Sequence, residues 1–219
     1  MLTSLLDFIF PKACLGCGQN QGYLCENCLN YIKTSDVNIC PECLRPTASG
    51  LTHPNCYQQN QQRLTGLTAV FLYQGIIKKA LVKLKTKLIT DLSSIILELF
   101  LTGIADNKVF TEFMSREKAL LVPMPLSWQK KNLQGFNQSE LLGKKISQSL
   151  GLEYKNLLLE KNNKPDLNKK VFNQKMIKKY SALILFDDLW LDGKKIKQGA
   201  KILKQQGFKK IWALVLARS

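Results

Sequence analysis

Eight residues near the start of the chain have the types and the spacing to hold metal. Cysteines stand at 14, 17, 25, 28, 40, 43 and 56, giving three C-x-x-C knuckles: Cys14 with Cys17, Cys25 with Cys28, and Cys40 with Cys43. The chain's one histidine, His53, precedes Cys56 by the same two-residue gap and completes a fourth knuckle. Such a gap lets both ligands face one tetrahedral ion, and borderline-soft zinc accepts thiolate and imidazole alike. Four knuckles supply ligands for two closed sites, one of four thiolates and one of three thiolates plus the imidazole. Sequential and interleaved pairing of the knuckles both give that division. A closed site leaves no position for a reacting water, so the expected cofactors are two structural zinc ions. They supply folding energy that a module of about 45 residues cannot draw from a core of its own. The competing reading of His53 is an ordinary surface or core histidine.

A second constellation lies far downstream. The apolar run Ala182 to Phe186 reads as a fully buried strand, and it stops at Asp187 and Asp188. A short loop with Gly193 follows, then a helix over 193–206. Paired acids at a strand end suit ribose hydroxyls or a magnesium ion, and loop amides at a helix start suit a phosphate. The bland alternative is a solvated strand end.

The elements that must position these groups form two parts. Residues 1–60 contain the knuckles and, before them, an amphipathic helix expected from Leu2, Leu5, Leu6 and Ile9. Residues 61–219 alternate strand and helix: a strand at 119–122, helices at 88–100 and 137–150, the strand at 182–186, the helix at 193–206 and a strand at 211–216. Alternation of this kind predicts an α/β domain with a mainly parallel sheet. No stretch reaches the apolar length of a membrane span, and the first ten residues lack the basic front and cleavage site of a signal peptide. A cytoplasmic protein with reduced cysteines is expected, which favours metal over disulfides.

Charge divides along the same border. The chain carries a net +16. Residues 1–60 hold three basic and four acidic side chains, a net −1, so residues 61–219 hold +17. A field of that sign attracts polyanions, nucleic acid first. Along the helix 193–206, Lys194, Lys197, Lys201 and Lys204 share one face, opposite Ile196, Ala200 and Leu203. A basic stripe with few aromatics tracks a phosphate backbone without reading bases; the plain reading is a solvated helix face.

Taken in order, the cysteine knuckles, Phe71-Leu-Tyr-Gln-Gly75, Lys85-Thr-Lys87, Val122-Pro-Met-Pro125, Gly135-Phe-Asn-Gln138 and Leu185-Phe-Asp-Asp188 resemble the ComF family of competence-associated, phosphoribosyltransferase-like proteins. The resemblance spans nearly the whole chain. It implies a zinc-ribbon module ahead of a type I phosphoribosyltransferase-like domain, and a role in handling single-stranded DNA during natural transformation. Asp187 and Asp188 then match the family's acidic pair, residues 189–195 its phosphate loop, and Val122 to Pro125 the loop near pyrophosphate. The departures are as informative. Where the family favours Thr-Thr-Gly-Ala-Thr, this chain has Leu191-Asp-Gly-Lys-Lys195, keeping only Gly193. Gln134 replaces an arginine, and the stretch from Pro165 to Tyr180 is short and lacks the family's arginines. Asp192 is placed to cap the helix with its own carboxylate, and Lys194 and Lys195 oppose the helix dipole unless an anion lies nearby.

Two functions follow from the residues and the resemblance together. One is a non-catalytic or weakly active, DNA-handling protein binding single-stranded DNA or a partner among competence-machinery proteins. The other is an active phosphoribosyltransferase using phosphoribosyl pyrophosphate and magnesium, with Asp187 and Asp188 on the ribose. The candidate ligand-binding residues are Asp187, Asp188, Asp192, Gly193, Lys194 and Lys195, with Asp192 placed to repel or replace a ligand phosphate. No residue is assigned a catalytic role. Ribbons with Leu15, Leu24, Leu29 and Leu44 also suit protein docking, unless those leucines are the module's own small core.

Overall fold

A computed structural model describes residues 12–35, 37–47, 49–58, 63–86, 90–125 and 138–219. The helix expected at the N-terminus, Lys87 and Gly135 to Asn137 lie outside the described residues. Two short helices, α1 (Glu26–Leu29) and α2 (Pro54–Gln58), belong to the cysteine-rich part. There follow β1 (Gly66–Leu72), α3 (Gly75–Thr86), α4 (Thr90–Ala105), α5 (Lys108–Arg116), β2 (Ala119–Pro123), α6 (Gln138–Ser149) and β3 (Glu153–Tyr154). The remainder is β4 (Leu158–Lys161), β5 (Lys164–Leu167), α7 (Lys175–Lys179), β6 (Ala182–Trp190), α8 (Lys194–Gln205) and β7 (Lys210–Arg218).

Five strands form one sheet in the order β1-β7-β6-β2-β3, every pair parallel. The sequence explains why. All of β2 and the run Ile211 to Ala217 of β7 are buried, as they must be where helices cover both faces of a parallel sheet. Alternation along β6 then sorts side chains between two cores. Ile184 and Phe186 join Phe100, Phe110, Leu142 and Trp212 on one face. Leu183 and Leu185 join Ile196, Leu203 and Trp190 on the other. Together the zinc-ribbon part and this mainly parallel sheet give the expected fold class, consistent with a phosphoribosyltransferase-like domain.

Two features depart from the sequence reading. Strand β6 does not stop at the acids but continues through them to Trp190, paired with β7 as far as Arg218. Its other neighbour, β2, gives out at Pro123 opposite Phe186, so Asp187 and Asp188 lie where β6 projects past β2. The second is an antiparallel hairpin of β4 and β5. Its turn residues Asn162 and Asn163 have φ of 51° and 60°, the left-handed pair that two-residue hairpins favour.

The cysteine-rich part lies along the outer edge of β1. Thr34 bridges Phe71 and Leu51 bridges Gly66, both antiparallel. Ser35 N donates to Val70 O and Leu67 N to Gly50 O, each at 2.8 Å. A parallel sheet's edge strand offers unpaired amides to any passing chain, and here the protein occupies them itself. Arg218 ties the far end of β7 to the same segment, its Nε donating to Ser35 Oγ at 2.7 Å.

Candidate metal centres and the acidic pocket

The knuckles pair sequentially. Cys14, Cys17, Cys25 and Cys28 form one cluster and Cys40, Cys43, His53 and Cys56 the other, with ligand atoms in each within 4.8 Å of one another. In the first, Cys25 Sγ lies 3.7 Å from Cys14 Sγ and 3.8 Å from Cys17 Sγ. Tetrahedral zinc with sulfur ligands at about 2.3 Å sets its sulfurs about 3.8 Å apart, so the donor set fits that ion. In the second, Cys43 Sγ is 3.3 Å from His53 Nδ1. His53 Nε2 sits 3.2 Å from Pro46 O. Donating its proton there leaves the Nδ1 lone pair free to face the sulfurs, the arrangement that orients metal-bound imidazole.

Backbone amides complete both sites. Cys25 N donates to Cys14 Sγ at 3.4 Å and His53 N to Cys40 Sγ at 3.5 Å. Burial alone would raise the Cys14 thiol, but the amides of Cys17, Cys25 and Gly16 outweigh it and bring the group to about 6. Burial and three neighbouring sulfurs push Cys28 up to about 12. Four packed thiols cannot all ionise unaided, and a divalent cation supplies the missing charge. Gly16 is required by the packing, since a Cβ there would stand 2.4 Å from Cys28 Sγ. Two structural zinc ions therefore suit the module, one held by four thiolates and one by three thiolates and the imidazole.

The acidic pair at the end of β6 is crowded by the protein's own charges. Asp188 is buried, and its Oδ2 lies 2.6 Å from Lys85 Nζ, off the hydrogen-bonding direction, as an ion pair. Lys85 comes from the last turn of α3. Burial would lower its pKa, but Asp188 and Asp187 beside it outweigh that and raise it. Asp187 is pushed up to about 7, first by burial and then by Asp188, against the pull of Lys195. Lys195 Nζ in turn donates to Pro125 O and approaches Glu160 Oε2 at 4.0 Å. One lysine thus spans the loop after β6, the end of the Val122 to Pro125 segment, and the β4–β5 hairpin.

The loop itself is closed by its own residues. Asp192 Oδ1 accepts from Lys194 N at 3.0 Å, and Asp192 Oδ2 lies 3.0 Å from Lys194 Nζ. The amide and then the ammonium of Lys194 hold this carboxyl below its usual range. Gly193 adopts φ of 68° beneath the buried indole of Trp190, where a Cβ would stand 2.2 Å from Trp190 Cζ2. Of the amides that could meet a phosphate at this helix start, that of Lys194 is taken.

The four stripe lysines lie on the side of α8 away from buried Ile196, Ala200 and Leu203. Three are engaged within the chain. Lys194 pairs with Asp192. Lys197 Nζ meets Glu42 O at 3.4 Å and Glu42 Oε2 at 3.8 Å. Lys204 Nζ donates to Tyr57 Oη at 3.2 Å. Lys201 is exposed. Sequence reasoning missed Glu42, Tyr57 and Glu160, and named Lys85 only within a motif. Their partners lie too far along the chain for any local pattern to disclose them.

Comparison with known proteins agrees with the two-part architecture. Residues 5–57 match the family model described as a double zinc ribbon domain. The chain is also 24% identical over 195 residues to the competence protein ComFC of Bacillus subtilis (strain 168), covering 84% of this chain and 79% of that protein.

Proposed function

We propose that this chain, similar to ComFC and carrying a double zinc ribbon, is a competence-related protein of the ComF family whose phosphoribosyltransferase-like site is closed from within. It handles single-stranded DNA, or a partner from the competence machinery, in the cytoplasm without catalysing transfer. Residues 1–60 act as the zinc-held module and residues 61–219 as the basic, α/β working part. The observation that carries this reading is the Asp192 carboxylate, bonded to the first free amide of α8. A ligand phosphate at that place would meet an anion instead of a donor. Lys85 and Lys195 support it, because they answer the charge of Asp188 and Asp187 that a metal or sugar would otherwise engage.

The net +17 of residues 61–219 supplies the attraction for nucleic acid. Binding of that kind releases counterions, so affinity falls steeply with salt. Calorimetry with phosphoribosyl pyrophosphate and magnesium is expected to give no heat at millimolar ligand. Fluorescence anisotropy with a labelled mixed-sequence single strand is expected to give binding at about 50 mM salt that fades with added salt. Heat in the first experiment, or no binding in the second, would remove the proposal.

The second reading, an active phosphoribosyltransferase using magnesium, is favoured by one arrangement. Asp187 and Asp188 lie together at the carboxyl end of a central strand, where ligands of open parallel sheets bind. In that case Asp187 and Asp188 would hold the ribose hydroxyls, and Lys194 and Lys195 would face the phosphate. Magnesium would neutralise the leaving pyrophosphate. The same calorimetry separates the two readings.

A further inference from the structure

The second zinc ribbon and the basic face of α8 meet through residues that the metal ligands themselves position. Glu42 stands inside the Cys40–Cys43 knuckle, and Tyr57 directly follows Cys56. Glu42 has a side chain only 13% exposed and gathers three partners. Its Oε2 lies 3.8 Å from Lys197 Nζ and 3.9 Å from Arg63 Nε, and its Oε1 accepts from Leu64 N at 3.3 Å. Tyr57 receives Lys204 through both its hydroxyl, at 3.2 Å, and its ring, 5.2 Å from the ammonium to the centroid.

Lys197 and Lys204 are seven residues apart on α8, two turns along one face, so one body meets the second and fourth positions of the stripe. The charges match. Three thiolates and a neutral imidazole around a divalent ion leave one negative charge on the ribbon, and Glu42 adds another. Facing them are the cations that a phosphate backbone would seek.

We propose that the second zinc ribbon is an intramolecular cover for the basic face of α8, with Glu42 as its latch. A single-stranded nucleic acid gains Lys197 and Lys204 only by displacing that cover. Lys194 and Lys201 remain at the surface for a first encounter. The proposal deepens the single-strand reading given above and rests on it.

The experiment compares wild type, Glu42→Gln, and Glu42→Gln with Lys197→Ala. Metal analysis first confirms two zinc ions per chain in each. Single-strand affinity is measured by anisotropy over a salt series, and Lys197 exposure by brief acetylation with peptide mass spectrometry. With the latch removed, Lys197 acetylates faster, affinity rises about three- to tenfold at low salt, and the salt slope steepens by about 0.7 for each lysine released. The added Lys197→Ala change cancels the gain. Tyr57→Ala, which removes both the hydroxyl and the ring that hold Lys204, gives an independent release there should Glu42→Gln fold poorly.

Equal acetylation of Lys197 in wild type and Glu42→Gln overturns the latch. Faster acetylation with unchanged affinity, in a wild type that does bind, overturns the cover and leaves the single-strand reading standing. Failure of every protein to bind the strand, with Lys197 released, removes the single-strand reading and the competition with it.

Discussion

Replacing Gly193 with alanine tests whether the loop after β6 is shaped by the protein's own packing or by a ligand. A glycine in a phosphate loop is ordinarily credited to the ligand, which needs close backbone approach. Here the backbone is left-handed, at φ of 68°, and the new methyl would stand 2.2 to 2.7 Å from three atoms of the Trp190 indole. Trp190 is 1% exposed and cannot swing outward without opening the core it shares with Ile196 and Leu203. The left-handed backbone costs a non-glycine residue about 1 kcal/mol, and overpacking a tight site adds about 1–3 kcal/mol. At about 2–4 °C per kcal/mol for a chain of this size, the melting temperature should fall by about 5–15 °C. Shrinking the indole in a Trp190→Leu background removes the clash, so the same glycine change there should cost only the backbone share, about 1 kcal/mol. Thermal denaturation of the four proteins, with zinc content checked in each, completes the cycle. A Gly193→Ala protein that melts within about 1 °C of wild type would refute the packing argument and return the glycine to a ligand.

Three further outcomes are expected. Asp187 binds its proton more tightly when folded, so its contribution is complete below about 3.8 and is lost as pH rises through about 7. Asp187→Asn should therefore gain on wild type in melting temperature between pH 5 and pH 8, and a constant difference would contradict the assignment. Lys85→Met leaves Asp188 buried without its counterion, at a cost of about 1–3 kcal/mol once the partial exposure of Lys85 is allowed for. Adding Asp188→Asn should recover most of it in urea unfolding, and no recovery would mean the pair is not coupled. Cys25→Ser should lower the zinc content from two ions per chain to one, whereas His53→Cys keeps two because thiolate replaces imidazole at the same tetrahedral position.

The cysteine module was largely legible because metal ligation is a local affair. A two-residue gap states which residues share an ion, and His53 was found by that gap alone. The pairing of knuckles was not legible, since sequential and interleaved arrangements satisfy the same spacing. The strand carrying the acids was read correctly to Phe186 and then cut short, because charge in a buried run is an ordinary end signal. β6 continues in register with β7 as far as Arg218, and Lys85, brought from α3, meets the charge of Asp188; no periodicity encodes either contact. The hairpin of β4 and β5 could have been found, for Asn162-Asn163 is a recognisable two-residue turn between short runs. For α8 the helical period placed the four lysines on one side, but Glu42 and Tyr57, which meet two of them, are 155 and 147 residues away from their partners.

The position of β7 between β1 and β6 imposes an order on how this chain can be made. Ile211 reaches back to Thr65 across 146 residues, so β1 emerges from the ribosome long before the neighbour that will flank it. Through that interval its apolar side chains, Val70 and Phe71 among them, lack their final layer. The cysteine-rich segment, which pairs with β1 through Thr34 and Leu51 in the folded protein, is already synthesised by then. The metal-bearing part is thus the earliest-made companion available to that strand, and taking its outer edge would keep neighbouring nascent chains from pairing there until the sheet closes.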